Sequence, residues 1–272
     1  MIKDITIGQY YAGDSVLHRM DARMKLVLTL GYMVVIFLCK NFFALGLLAL
    51  SVAVFVALSR VPLGMVLRSF RPIVVLVLFT SALNLFLTPG EGEPLWHWWK
   101  LQITTEGIHT AIFTTARILC LIAASSLLTY TTTPSLLTAG IERLLWPLGK
   151  LGVPVSVFAM MMTLALRFVP TLVEEIDRIM NAQKSRGANM DTGSLFQRIK
   201  AFVPVLVPLI VSAFRRAGEL AYAMECRCYT GSNRRTSLKQ FRLRARDYAA
   251  AALMLLLGGG IVTMNIFLGK II

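Results

Sequence analysis

The sequence predicts an all-α integral membrane protein with about five transmembrane helices and three long cytoplasmic helices. Three observations carry this. Of 272 residues 56% are hydrophobic, with a mean hydropathy of +0.68, well above the range of soluble domains. The apolar residues collect into runs rather than into short periodic patches. The 28 Lys+Arg outnumber the 14 Asp+Glu, and the formal charge of +14 falls between the runs. A pI near 10.1 would also suit a nucleic-acid binder, but apolar runs assign the charge to a membrane face, so no nucleic-acid partner is expected.

Residues 1–25 form a polar cytoplasmic N-terminal segment. It has no basic stretch leading at once into an apolar core and a small-residue cleavage site, so no cleaved signal peptide is expected. Transmembrane helices 1–4 occupy 26–130. Leu26 to Cys39 is short for a hydrocarbon core of about 30 Å, and needs its flanks or its neighbours to span. Lys40 and Asn41 break it before Phe42 to Leu58, which makes a tight hairpin. Pro72 to Leu87 is a third span and Ile108 to Tyr130 a fourth, with Arg117 inside it. A fifth, Tyr248 to Leu268, lies in the last segment, 248–272.

Charge orients these spans. Lys3, Arg19, Arg23 and Lys25 precede the first span, Arg60, Arg68 and Arg71 follow the second, and 131–247 carries 17 Lys+Arg against 8 Asp+Glu. The loop at 88–107 has one Lys against Glu91, Glu93 and Glu106. The positive-inside rule therefore puts the N-terminus and 131–247 in the cytoplasm and the C-terminus outside. Trp96, His97, Trp98 and Trp99 then fall at the outer interface, where amphipathic rings prefer to sit.

The region 131–247 alternates apolar pieces of about 14 residues with charged ones. Such pieces are short for independent spans and suit helices lying under or partly in the bilayer. Three helices are predicted: about 135–148, opened by Thr133 as cap and Pro134 at the first helical position; Pro154 to Arg186, kinked at Pro170 and stopped by Gly187; and Ser194 to about Arg227. Glu174 and Arg178, like Arg215 and Glu219, stand four apart, the spacing of intrahelical ion pairs.

The two longer helices end alike. Ala182 precedes Arg186 by four residues, as Ala223 precedes Arg227. A cation at a helix C-terminus is favoured by the macrodipole, which accounts for either Arg alone. The repetition admits a second reading: an Arg at a rigid helix tip is a good plug for an acidic or carbonyl-lined groove on a partner. Arg117 leaves similar alternatives, a functional or paired intramembrane charge, or one facing the cytoplasmic region or a helix dipole within the bundle.

Enzymatic chemistry finds no support. His18, His97 and His109 are scattered, and there is no H-E-x-x-H, G-x-S-x-G or P-loop, so the chain has no nucleotide site of that kind. Cys39 and Cys120 lie in apolar runs, while Cys226 and Cys228 form a lone C-x-C that reads as two small helix-end residues rather than a metal site. No acidic residue falls within the five spans, which argues against a proton or ion relay.

These residues resemble a known family. Tyr11 to Leu26, YAGDSVLHRMDARMKL, is similar to the opening segment of the transmembrane T components, EcfT, of energy-coupling factor (ECF) transporters, with Asp21-Ala22-Arg23 where the family usually has Asp-Pro-Arg. Thr131 to Ile176 is similar to the family's most recognisable block, and the likeness covers nearly the whole chain. The family carries an Ala-Arg-Gly-like triplet at the ends of two coupling helices. Ser185, Arg186 and Gly187 match the first, and Cys226, Arg227 and Cys228 match the second, which keeps only the Arg.

The resemblance implies a non-catalytic scaffold in a bacterial or archaeal cell membrane. It binds no cofactor itself, ATP and Mg being held by two partner ABC-type ATPases on which the triplets dock. Ala182, Ala223, Glu174, Arg178 and Glu219 support the coupling helices. Met160, Met161, Met162, Leu164 and Phe168 either form an adaptable bed for a membrane S component that carries a vitamin or metal ion, or are ordinary core. The length and the Cys226 to Tyr229 ending incline the reading to a module shared among S components. The alternative is a conventional ABC permease lining its own substrate path; it would need polar residues facing a cavity, and the spans offer little beyond Asn84 and Arg117.

Overall fold

The computed structural model describes residues 10–87, 96–98, 101–187, 195–231 and 243–268. Glu91, Glu93, Trp99, Lys100, Lys3 and Ser194, all used above, lie outside the described residues. In chain order the elements are helices α1 (Ala22–Leu38), α2 (Phe42–Ser59), α3 (Leu63–Phe70) and α4 (Val74–Leu87), strands β1 (Trp96–Trp98) and β2 (Leu101–Ile103), then α5 (Thr105–Thr131), α6 (Pro134–Leu145), a 3-10 turn (Trp146–Leu151), α7 (Val155–Ser185), α8 (Leu195–Cys226) and α9 (Ala245–Leu268). Apart from the antiparallel β1–β2 hairpin, regular structure among the described residues is helical.

The chain divides into two compact units, one of Gly8–Gly140 with Gln240–Ile272, the other chiefly Ile141–Lys239. In the first, α5 is the central helix, packed by α1, α2, α3 and α4. Small residues on its buried face, Ala111, Cys120, Ala123 and Ala124, let neighbouring backbones come close, the usual device where lipid removes the hydrophobic drive between helices. Ile36, Leu48 and Ile261 are fully buried at the centre. Tyr hydroxyls in this apolar interior find partners: Tyr32 donates to the Leu48 carbonyl at 2.9 Å, and Tyr130 to the Met65 carbonyl at 3.1 Å.

α1 is clamped at both ends. At its start the Asp21 carboxylate caps the Arg23 N–H at 3.0 Å, and Ala22 takes the first helical position, so the proline that the family usually has there is not needed for the helix to start. Asp247 accepts from the Asp21 N–H at 3.1 Å while also capping its own helix through the Arg244 N–H at 2.8 Å. Lys25 is buried, and its ammonium donates to the carbonyls of Thr131 (2.9 Å) and His18 (3.3 Å) and to the Thr132 hydroxyl (3.3 Å). The last carbonyl of α5, an orphan of helix geometry, thus receives a cation.

At the other end, α1 stops after 17 residues. Asn265 of α9 donates to the Leu38 carbonyl at 2.7 Å, and Arg117 donates to the Cys39 carbonyl at 2.6 Å with its guanidinium 4.6 Å over the Phe113 ring. The intramembrane Arg is therefore engaged with a helix C-terminus inside the bundle, the second of its two readings. Its Nε has no partner.

By length and composition, α2, α5, α7, α8 and α9 can each cross a bilayer. The number five matches expectation but the membership differs. α1 and α4 are too short to qualify singly, and α4 forms a broken pair with α3, bent by 56°. α7 and α8 qualify because they run through Pro170 and through Pro204 and Pro208 to 31 and 32 residues, so the 14-residue apolar pieces are parts of longer helices.

Candidate functional site

The second unit is built on the α7–α8 pair. Before it, still in the first unit, the Thr133 hydroxyl accepts from the Leu136 N–H at 3.4 Å and Pro134 opens α6, as capping chemistry dictates. The 3-10 turn ends at Gly152, and α7 begins after Pro154.

The α7 tip is closed by backbone bonds. The Arg186 N–H donates to the Ala182 and Gln183 carbonyls at 3.3 and 3.1 Å, the Gly187 N–H donates to Lys184 at 3.0 Å, and Gly187 takes φ +87°. At the α8 tip the Arg227 N–H donates to Met224 at 3.1 Å and the Cys228 N–H to Glu225 at 2.8 Å. The Tyr229 N–H reaches back to Met224 at 3.0 Å, closing the turn in the manner of a Schellman motif. Cys228 takes φ +55°. Each Arg is thus followed by one left-handed residue, although glycine occupies only the first of the two positions. Nothing in the type of residue at 228 announces this, and the reversal is set by the backbone bonds around it.

Ser185, Arg186, Gly187, Cys226, Arg227 and Cys228 are all exposed, as are Ala182 and Ala223. Among the described residues, no group of three His, Cys, Asp or Glu surrounds Cys226 and Cys228 in metal-binding fashion. Glu174, Arg178 and Glu219 are exposed as well, but the expected intrahelical pairs do not form: among the described residues the ion pair in this unit is Glu175–Arg216 at 2.6 Å. Ser212 donates to the same Glu175 carboxylate at 3.1 Å. Both partners of the pair are largely shielded, which favours an interhelical contact over solvated i,i+4 pairs worth only about 0.2–0.5 kcal/mol.

A second cross-link follows from proline chemistry. Pro208 has no N–H, so the Pro204 carbonyl four residues earlier loses its helical donor. The Gln183 side-chain amide of α7 lies 3.5 Å from that carbonyl and supplies one. Gln183, Glu175, Ser212 and Arg216 fix the pairing of the two helices and were not among the residues singled out by sequence; Gln183 sits three residues before Arg186.

A cavity of about 430 Å³ opens between the helices, lined by Phe168 and Leu172 of α7 and, on α8, by Arg216, Leu220, Met224 and the tip residue Tyr229 among others. Phe168 enters this cavity, Met160 and Leu164 are half-buried, and Met161 and Met162 face outward. On α8 Phe202, Leu206, Ile210 and Phe214 form an exposed stripe at a spacing of four. The unit therefore combines outward apolar faces with two exposed basic tips.

The profile of the CbiQ cobalt transport protein family matches residues 13–238. The chain is 51% identical over 247 residues to the energy-coupling factor transporter transmembrane protein EcfT of Ruminiclostridium cellulolyticum, covering 91% of this chain and 92% of that one. It is 46% identical to the protein of the same name from Clostridium kluyveri, over 99% of this chain and all of the relative, and 46% identical to that of Acidaminococcus fermentans, over 94% and 95%. With its long apolar helices and its two tip motifs inside the matched span, the chain belongs to the CbiQ/EcfT family of energy-coupling factor transporter transmembrane proteins.

Proposed function

We propose that the chain, a transmembrane component of an ECF transporter by family, is the part that couples ATP hydrolysis by two ABC-type ATPase subunits to substrate release by a membrane S component. The single observation that carries this reading is the pair of tips. Two helices of 31 and 32 residues end in an exposed Arg followed by a left-handed residue, and a planar guanidinium held at a rigid tip suits a groove rich in carboxylates or carbonyls.

In this reading ATP and Mg are bound by the partner subunits and no cofactor by the chain, which is itself not catalytic. ATP binding closes the ATPase pair and draws Arg186 and Arg227 together. The helices tilt, and the S component resting on them topples to release a vitamin or metal ion inward. Met161, Met162 and the Phe202 to Phe214 stripe supply an adaptable apolar bed for it, since flexible thioethers repack against different partners. The N-terminus and 131–247 face the cytoplasm and the C-terminus lies outside; α7 and α8, although long and apolar enough to cross, lie along that face in this reading, because two successive crossings would leave their tips on opposite sides. Arg117, which a substrate-lining permease would turn toward a path, is engaged with the end of α1.

Co-purification tests the reading. Arg186→Glu and Arg227→Glu chains should insert normally yet lose ATPase subunits in mild detergent, and the double reversal should abolish uptake. Normal co-purification and uptake by the double reversal would refute the docking role. Mass spectrometry of what accompanies the wild type separates a shared module, with several S components, from a dedicated one.

A further inference from the structure

We infer that the first unit holds a binding site for one anionic glycerophospholipid, its phosphate between Arg60 and Arg246 and an acyl chain in the adjoining groove among α1, α2, α5 and α9. This inference goes beyond the coupling role and uses none of its residues.

Two neighbouring cavities carry it. The first, about 650 Å³, is lined by Asp14, Arg19, Arg60 and Arg246 together with Ser15 and apolar side chains of α2. Arg19 is taken by Asp14, its Nε and one terminal nitrogen donating to the two carboxylate oxygens. That pair is neutral, so the charge of this mouth comes from Arg60 and Arg246. Both are exposed, and among the described residues neither side chain makes a hydrogen bond or ion pair.

Arg60 is held in place from behind. It is the C-cap of α2 in the left-handed region at φ +56°, a conformation that strains a residue with a Cβ. The buried Ser59 hydroxyl locks the turn, donating to the Val56 carbonyl at 2.7 Å and accepting from the Val61 N–H at 3.2 Å. Strain retained at an exposed cation points to a task for it.

The second cavity, about 370 Å³, shares Val16, Leu58 and Arg246 with the first and is otherwise walled mainly by apolar groups such as Leu28, Phe55, Leu127 and Leu253. Along α9 its wall runs from Arg246 to Leu257, eleven residues or about 17 Å, roughly half of a hydrocarbon core of about 30 Å. A cationic mouth over an apolar groove one leaflet deep matches a phospholipid, with head and tail each finding its own solvent. Inorganic phosphate shares the headgroup chemistry but would leave the groove unused. Basic pockets between membrane helices are an established way to hold anionic headgroups.

The full-length chain, purified in mild detergent and delipidated, is titrated with phosphatidylglycerol, phosphatidylcholine and inorganic phosphate and read by native mass spectrometry. One phosphatidylglycerol should bind at least tenfold more tightly than phosphatidylcholine, with a preference that falls as salt rises. Arg60→Gln/Arg246→Gln should erase the preference, and Ala250→Phe, which fills the groove, should weaken both lipids alike. Equal binding of the two lipids by wild type, a preference that survives the double variant, or displacement of the lipid by millimolar phosphate would each overturn the site. The wild-type comparison decides even where a variant fails to fold.

Discussion

Gly187 and Cys228 occupy the same backbone position, one residue past the Arg of each long helix, at φ +87° and +55°. Only glycine adopts this region without penalty, because a Cβ crowds the carbonyl that follows. Nothing lies within 4 Å of a Cβ built on Gly187, so a side chain there meets backbone strain and no clash. Gly187→Val should destabilise the α7 tip by about 1–2 kcal/mol. Cys228→Gly should relieve about 1 kcal/mol at the α8 tip, partly offset by the greater freedom of the unfolded chain. Amide hydrogen exchange at 182–188 and 224–230 measures both. Faster exchange at the second tip in Cys228→Gly would contradict this account.

The Glu175–Arg216 pair should dominate the pairing of α7 with α8. A double-mutant cycle with Glu175→Gln and Arg216→Gln, read by thermal unfolding in detergent, should give a coupling of about 1–2 kcal/mol. That lies above an exposed pair and below a fully buried one, because both groups keep partial access to water. A coupling near zero would assign the pairing to apolar packing alone.

Gln183 matters only because Pro208 lacks an N–H. Gln183→Leu should cost about 0.5–1.5 kcal/mol in wild type by leaving the Pro204 carbonyl without a donor. In a Pro208→Ala background the helix supplies its own N–H, and the same change should cost almost nothing. Equal costs in the two backgrounds would mean that the amide does not serve this carbonyl.

Arg19 beside Asp14 holds that carboxyl below its ordinary value of 3.8. A carboxylate pKa lowered by folding stabilises above the unfolded value, and the contribution is lost as pH falls through the lowered one. The pair is therefore intact at neutral pH and breaks only in strong acid. Asp14→Asn should free Arg19 at pH 7 and tighten phosphatidylglycerol binding several-fold. The difference from wild type should shrink in acid, once the pH falls through the lowered pKa and Asp14 itself becomes neutral. Weaker binding by Asp14→Asn at pH 7 would show that Asp14 orients the mouth rather than neutralising part of it.

Local chemistry made much of this molecule legible in advance. The Thr133-Pro134 start, the Pro154 start and the Gly187 stop each depend on residues within one turn, and each lies where capping rules place it. The motifs of the two tips could be found because both are short and repeated. What stayed hidden depends on partners distant in sequence. Glu175 pairs with Arg216, 41 residues away, while Glu174 and Arg178, four apart, form no ion pair, because interhelical packing shields the first contact and not the second. The left-handed backbone at Cys228 was not legible because its residue type disfavours the conformation that its neighbours impose. The number of long apolar helices was legible but not their membership, because apolar run length was read as helix length, whereas α7 and α8 continue through their prolines into charged turns.

The two-ended clamp on α1 has a consequence in time. Asp247 reaches its first turn and Asn265 its last carbonyls, and both side chains belong to α9, more than 220 residues downstream. α1 emerges first during synthesis and is secured last. Until α9 arrives, the short helix carries an uncapped end beside lipid, where an orphan carbonyl is costly. A chain cut before Ala245 keeps the Lys25 and Arg117 bonds between α1 and α5 but loses the partners of the Asp21 N–H and the Leu38 carbonyl, which makes the last helix the latch for the first.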